Sequence, residues 1–254
     1  MKRAVLRLYS IVFYVIFVVV FLLILPFHFI FLQFKAQWAH DVSHRLNMLW
    51  GWLILYPIGI WLYPKNREKI DRKGIFIFAP NHSSYLDIPI CNVSILHSFR
   101  FVGKAELSDV PLFGFMFKRL HIPVKRESVK DAYRSLDLSR KKLESGRSVL
   151  FFPEGTIPDK RKVTLLRFKD GAFKLAIETG TPIVPMTIVN ADRALLDDQT
   201  WILRPARVKV IFHDPIPTAD LDISEAGALK QRVYQLIYNT LKEHGAVREP
   251  EAQP

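Results

Sequence analysis

The first part of the chain has no polar face. Every position in residues 8–25 is apolar or aromatic except Ser10, and after Pro26 the character continues through Phe27, Phe29, Ile30, Phe31, Leu32 and Phe34. At 1.5 Å per residue the run before the proline makes about 27 Å of helix, close to one bilayer core. A secretory signal fits poorly, because large aromatics rather than a small-residue cleavage site follow the run. A buried core helix fits poorly too, since a stretch apolar on all sides has few places to hide in a chain of this size. A second apolar stretch, residues 48–63, is interrupted by Gly51, Pro57 and Gly59 and carries Trp50, Trp52, Tyr56, Trp61 and Tyr63. Trp and Tyr at that density belong at a membrane interface. Residues 1–64 are therefore expected to form a helical pair that dips into or crosses a bilayer and returns.

Beyond this the periodicity changes. The continuous apolar run Ile75-Phe76-Ile77-Phe78-Ala79 suits a strand buried on both faces. Further strands are expected at 100–102, 122–124, 148–152, 183–189 and 207–212. Ser128 and Asp131 resemble a capping box before a helix in which Val129, Tyr133, Leu136 and Leu143 recur at helical spacing and Gly146 supplies a stop. A second helix spans 168–179, closed by Gly180, and a last one spans 225–243 with Leu229, Val233, Leu236, Ile237 and Leu241 on one face. Alternating strands and helices predict an α/β domain over 65–246, a mixed and largely buried sheet flanked by helices, with its site at strand ends. Residues 247–254 read as a tail.

Charge narrows the partners. The 254 residues carry a formal net charge of +12. The basic excess lies within 65–213, while 214–254 is net acidic, so the middle of the chain should attract anions. No nucleic-acid recognition motif interleaves these cations, and the apolar N-terminus favours a lipid surface over nucleic acid. Lys2, Arg3 and Arg7 before the first apolar stretch and Lys65, Arg67 and Lys69 after the second put both flanks in the cytosol. The single cysteine, Cys91, rules out an internal disulfide, and the absence of zinc-type Cys/His spacing predicts no metal site.

Four clusters carry candidate chemistry. In Asn81-His82-Ser83-Ser84-Tyr85-Leu86-Asp87, His82 and Asp87 converge if Ser83 or Ser84 opens a helix. The carboxylate would then fix the imidazole tautomer and leave the other nitrogen to take a proton from an alcohol. The plainer reading is a capping Asn and an unrelated surface His. No Gly-x-Ser-x-Gly nucleophile occurs, which favours direct attack by a substrate hydroxyl. Lys104, after Gly103, and Arg126, after Pro123-Val124-Lys125, are phosphate candidates or ordinary surface cations. Phe152-Pro153-Glu154-Gly155-Thr156 is either a polyol-orienting turn or a simple Pro-Gly turn. Pro185, in Ile183-Val184-Pro185-Met186, by itself suggests an edge strand or bulge.

In this order, and behind a membrane-seeking N-terminus, the motifs resemble the glycerolipid acyltransferases, specifically the 1-acyl-glycerol-3-phosphate acyltransferases, from about residue 75 to 190. The resemblance implies a fold like that of glycerol-3-phosphate acyltransferase and a membrane-docking helical pair. It implies His82 as general base, with Asp87 polarising it. Lys104, Arg126, Glu154, Gly155 and Thr156 would handle the glycerol phosphate, and Pro185 would lie on the acyl-donor side. The implied reaction moves an acyl group from acyl-CoA or acyl-carrier protein to lysophosphatidic acid in phospholipid synthesis, with no cofactor. It would occur on the cytoplasmic face of a membrane, the inner membrane in a bacterium. One departure stands out: Ile157-Pro158 follows Thr156 where the family often has Arg-Ser. Arg161, Lys162, Arg167 or Lys169 are candidates to replace the missing cation. The departure also admits another lyso-lipid acceptor, such as an ornithine type, or a silent lipid-binding protein.

Overall fold

The computed structural model describes residues 2–34, 36–125, 128–159, 164–195 and 200–247. Two helices open the chain, α1 (Lys2–Phe31) and α2 (Gln37–Leu55). α1 runs on through Pro26, whose missing N–H leaves one helical rung unmade. Where the sequence predicts one membrane stretch through Tyr63, the chain divides. α2 ends at Leu55, a turn follows with Gly59 at φ +74°, and Ile60–Lys65 forms β1. In β1, Ile60 and Leu62 are buried while Trp61 and Tyr63 are exposed, the two-residue alternation of a strand with one wet face. The helical pair therefore stops short of residue 64, and β1 belongs to the sheet.

The remaining elements are β2 (Ile77–Pro80), α3 (Asp87–Ser94), β3 (Phe99–Lys104), α4 (Phe113–Leu120), β4 (Ile122–Val124), α5 (Val129–Glu144), β5 (Ser148–Leu150), α6 (Gly171–Thr179), β6 (Ile183–Val189), α7 (Ala191–Ala194), β7 (Ala206–Phe212) and α8 (Ala226–Glu243). The seven strands form one sheet in the order β1-β7-β6-β2-β5-β3-β4. All neighbours are parallel except β6 and β7. All of β6 is buried, as its apolar run predicts. Pro185 lies in this interior strand, opposite Ala79 of β2, and not at an edge or bulge. The proline is tolerated because antiparallel pairing with β7 begins only at Met186, so its missing N–H falls at the end of that ladder.

Helices cover both faces of the sheet, and successive residues of a strand feed opposite layers. Phe78 packs with Ile54, Ile90 and Phe99 beneath α2 and α3, whereas its neighbour Ile77 packs with Phe173, Val233 and Ile237 beneath α6 and α8. In α5 the Ser128 side chain caps the helix by accepting the Asp131 N–H at 3.1 Å. Its buried stripe is Ser135, Ser139 and Leu143; Tyr133, placed on that face by the sequence reading, is 72% exposed.

α1 is fastened to this body along one side. Phe13 is 2% exposed within the core. Ser10 Oγ accepts the Leu203 N–H at 2.8 Å, the Tyr14 hydroxyl donates to the Trp201 carbonyl at 3.2 Å, and the Tyr9 hydroxyl donates to the Ile58 carbonyl. The other side, with Leu8, Val15, Val19, Leu22 and Ile30, is exposed. Among the described residues α1 is the one helix long and apolar enough to cross a bilayer.

Candidate active site

Strands β6, β2, β5, β3 and β4 run the same way, so the loops after them meet at one edge of the sheet. That edge receives Asn81–Asp87 after β2, Phe152–Thr156 after β5, and Lys104 at the end of β3.

The loop after β2 is built by side chains that replace missing backbone partners. Asn81, fully buried, donates from Nδ2 to the Ile188 carbonyl at 3.1 Å and accepts the Ile188 N–H at 2.7 Å. It imitates the next rung of the β2–β6 ladder and does not cap a helix. The helix also opens later than the sequence suggests: α3 starts at Asp87 itself, not at Ser83 or Ser84. Residues 82–86 instead wrap the Asp87 carboxylate. Its Oδ2 accepts the Ser84 N–H at 2.8 Å, the Ser83 N–H, and His82 Nδ1 at 2.9 Å. Ser84 Oγ anchors the loop by donating to the Leu195 carbonyl at 2.7 Å.

Asp87 has no exposed surface, so its charge is stabilised by these donors and by its place in the first turn of α3. As the carboxylate can only accept, Nδ1 carries the imidazole proton and Nε2 presents its lone pair. No group among the described residues hydrogen-bonds Nε2. Phe152 stacks on the imidazole, with ring centroids 4.0 Å apart and planes 17° apart, and holds the ring's orientation. Cys91, one turn into α3, is no competitor as nucleophile. Burial, with the Asp87 charge, pushes its thiol well above the ordinary range.

Glu154 changes its part. The sequence reading allots it to a polyol, but it is 2% exposed and its two oxygens take backbone donors from separate loops. Oε1 accepts the His82 N–H at 2.6 Å and Oε2 accepts the Leu166 N–H at 2.8 Å. These two bonds tie the loop after β5 to the backbone of the general-base candidate. Gly155 adopts φ +74°, a conformation open to glycine, and Thr156 is exposed beside it.

Lys104 is half exposed at the same edge, with Nζ 3.4 Å from Glu106 Oε1. Arg126, like Arg161 and Lys162, lies outside the described residues. Pro185 is buried in β6 beside Ala79 and is not brought to the His82 loop. A concavity of about 660 Å³ beyond β3 and β4 is lined by Glu106, Asp109, Lys125 and Arg134 among others, and includes neither His82 nor Glu154. Sequence reasoning passed over the scaffolding roles of Asn81, Phe152 and Leu166. Asn81 offered a signal, a carboxamide directly after a strand-ending proline.

The sequence profile of the Acyltransferase family matches residues 63–189, half of the chain. A chloroplastic 1-acyl-sn-glycerol-3-phosphate acyltransferase of Arabidopsis thaliana is 29% identical over 203 residues, covering 78% of this chain and 54% of that protein. A probable 1-acyl-sn-glycerol-3-phosphate acyltransferase of Mycoplasma pneumoniae is 28% identical over 204 residues, covering 76% of this chain and 75% of its own length. The chain thus spans about half the length of the chloroplast relatives it matches. The crystal structure of the 1-acyl-sn-glycerophosphate acyltransferase from Thermotoga maritima superposes with a TM-score of 0.80 at 23% identity, covering 98% of this chain and all of that one, so the two share a fold. With the matched segment running from β1 to the end of β6 and enclosing the whole His82–Asp87 edge, this chain belongs to the Acyltransferase family.

Proposed function

We propose that the chain transfers a fatty acyl group from an acyl thioester, acyl-CoA or acyl-carrier protein, to the sn-2 hydroxyl of lysophosphatidic acid, giving phosphatidic acid. The observation that carries this reading is the His82 Nδ1–Asp87 Oδ2 hydrogen bond of 2.9 Å, which leaves Nε2 free at a strand-end edge. Nε2 takes the proton of the acceptor hydroxyl as the oxygen attacks the thioester carbon. Asp87 stabilises the imidazolium that forms. The C–S bond then breaks, and the imidazolium returns its proton to the departing thiolate. The exchange of a thioester for an ester is redox neutral, and the reading asks for no metal or redox cofactor. Lys104 and Arg126 are the cations assigned to the acceptor's phosphate. The relatives' names, which specify 1-acyl-sn-glycerol-3-phosphate as acceptor, support the substrate.

α1 supplies the membrane contact in this reading, with its exposed side in the bilayer and the flanking cations on the cytoplasmic side. A bilayer-seated helix joined to the catalytic edge lets an acceptor with a greasy tail reach His82 without leaving the lipid.

The test is thiol release by the full chain in detergent micelles or vesicles, given acyl-CoA or acyl-carrier protein and lysophosphatidic acid. Removing a general base costs about 10² to 10⁴ in rate, so His82→Ala should nearly abolish acceptor-dependent release. Unchanged release in that variant overturns the mechanism. Ile157-Pro158 in place of Arg-Ser favours a second reading, a different lyso-lipid acceptor, and a panel of acceptors separates the two.

A further inference from the structure

The turn after β5 lacks the cation that the family resemblance implies, and the structure brings another to it from a later part of the chain. The Lys169 N–H donates to the Pro153 carbonyl at 2.9 Å, so the segment before α6 runs beside the Pro153–Gly155 turn. The lysine side chain then crosses that turn. A Cβ at Gly155 would lie 2.7 Å from Lys169 Cε and 2.8 Å from Nζ. Gly155 therefore meets two demands, a φ of +74° and empty space where the lysine passes.

Lys169 is exposed, and no carboxylate among the described residues lies within ion-pairing distance of Nζ. The neighbouring cation Arg167 lines a separate groove with Lys230 and Tyr234, and Lys104, assigned to the phosphate above, stands at the end of β3 and not at this turn. Only one residue separates the crossing point from the catalytic loop, because Glu154, next to Gly155, accepts the His82 N–H at 2.6 Å. In a glycerol phosphate acceptor the sn-2 hydroxyl and the phosphate are likewise close, joined through two carbons and an ester oxygen.

We propose that Lys169 binds the phosphate of the acceptor, its ammonium held over Gly155 beside Thr156 in place of the cation missing at Ile157. The assignment rests on the acyl-transfer reading above and adds to Lys104 and Arg126 a cation that selects a phosphate-bearing acceptor. A charge-assisted contact made equally in ground and transition states changes KM and not kcat. Lys169→Met should raise KM for lysophosphatidic acid by roughly 10- to 100-fold, with kcat changed by less than about threefold. KM for the acyl donor should stay as in the wild type, and Lys169→Arg should restore most of the affinity.

A purely structural lysine would not alter the pH profile. The second proton of a phosphate monoester leaves near pH 6. The wild-type KM should therefore fall as pH rises through that range, and the fall should flatten in Lys169→Met. A KM within twofold of wild type in Lys169→Met, or a rise that Arg does not restore, overturns the proposal. Equilibrium binding of glycerol 3-phosphate to the full chain in micelles decides the subsite separately from the chemistry. Weaker binding by the Met variant supports it even if lysophosphatidic acid is not acylated, an outcome that would defeat only the reaction reading. Equal binding by wild type and variant overturns it.

Discussion

Replacing Glu154 by Gln separates a strut from a substrate ligand. The carboxylate accepts backbone N–H groups from His82 at 2.6 Å and Leu166 at 2.8 Å, and at 2% exposure no bulk water stands ready to replace it. The amide of Gln keeps one acceptor oxygen and turns its NH2 toward the second donor. One charge-assisted bond is lost, worth about 1.5–3 kcal/mol, and the N–H left facing another donor adds to the loss, for a total of about 3 kcal/mol. If the His82 side gives way, the imidazole shifts relative to the acceptor, and a displacement of about 1 Å costs on the order of a hundredfold in kcat. The assay pairs urea unfolding in micelles with steady-state thiol release. The expected result is a clear loss of stability and of kcat with KM for the acceptor nearly unchanged. Unchanged stability with a raised KM would refute the strut and return Glu154 to the acceptor's hydroxyls.

Three further outcomes follow from other parts of the fold. Gly51 of α2 lies against α3 so closely that a Cβ would sit 2.7 Å from Val93 Cγ2 and 3.1 Å from the Pro89 carbonyl oxygen. Gly51→Ala should cost about 1–3 kcal/mol by overpacking and lower kcat through Asp87 at the head of α3; equal unfolding midpoints would contradict this. His44, on the buried face of α2, has its pKa lowered from 6.5 to about 4, first by burial and then by nearby cations including Arg100, against a raising bond to the Ile95 carbonyl. The unfolded chain then binds the extra proton between these values, so stability is full above about pH 6.5 and falls as pH drops toward 4. The loss is about 2 kcal/mol at pH 5 from this group, and a His44→Gln chain whose stability falls just as steeply would argue against the assignment. On α1, Val15, Val19 and Leu22 changed together to Ser should lower partition onto anionic vesicles at least tenfold, at roughly 1 kcal/mol or more per side chain, while leaving the fold intact. Undiminished pelleting would remove α1 from the membrane contact. Deleting residues 1–64 would not test this, because it also removes most of β1 and Phe13 from the core.

How much was legible depended on whether one local signal sufficed. β6 was read to its ends, because a run between Pro182 and Asn190 that is apolar but for Thr187 suits a buried strand. β1 was missed inside an aromatic-rich stretch, since Trp61 and Tyr63 are as apolar as their buried neighbours Ile60 and Leu62; only the pairing with β7 tells the faces apart. The convergence of His82 and Asp87 was legible, but the means was not. Residues 82–86 curl around a carboxylate where a helix was expected to begin. Glu154 was recognised by type, but its hold on two backbone donors was not legible, because they come from residues 72 positions before and 12 after, a closure that only the folded sheet provides. Of the four candidates in the sequence, Arg167 and Lys169 lie among the described residues, and of these two Lys169 is the one that passes over Gly155.

The reversal of β7 also sets a dimension. β1 and β7 run against the other five strands, so each begins at the edge where those five end. Ile58, just before β1, and Trp201 and Leu203, before β7, therefore stand on the same rim as His82, and these are the groups that Tyr9, Tyr14 and Ser10 hold. Three hydrogen bonds thus pin the apolar helix to the rim that carries the imidazole. The height of Nε2 above the exposed side of α1 is a built-in measure, and the proposed acceptor, of fixed length from glycerol to tail, would meet it at one depth.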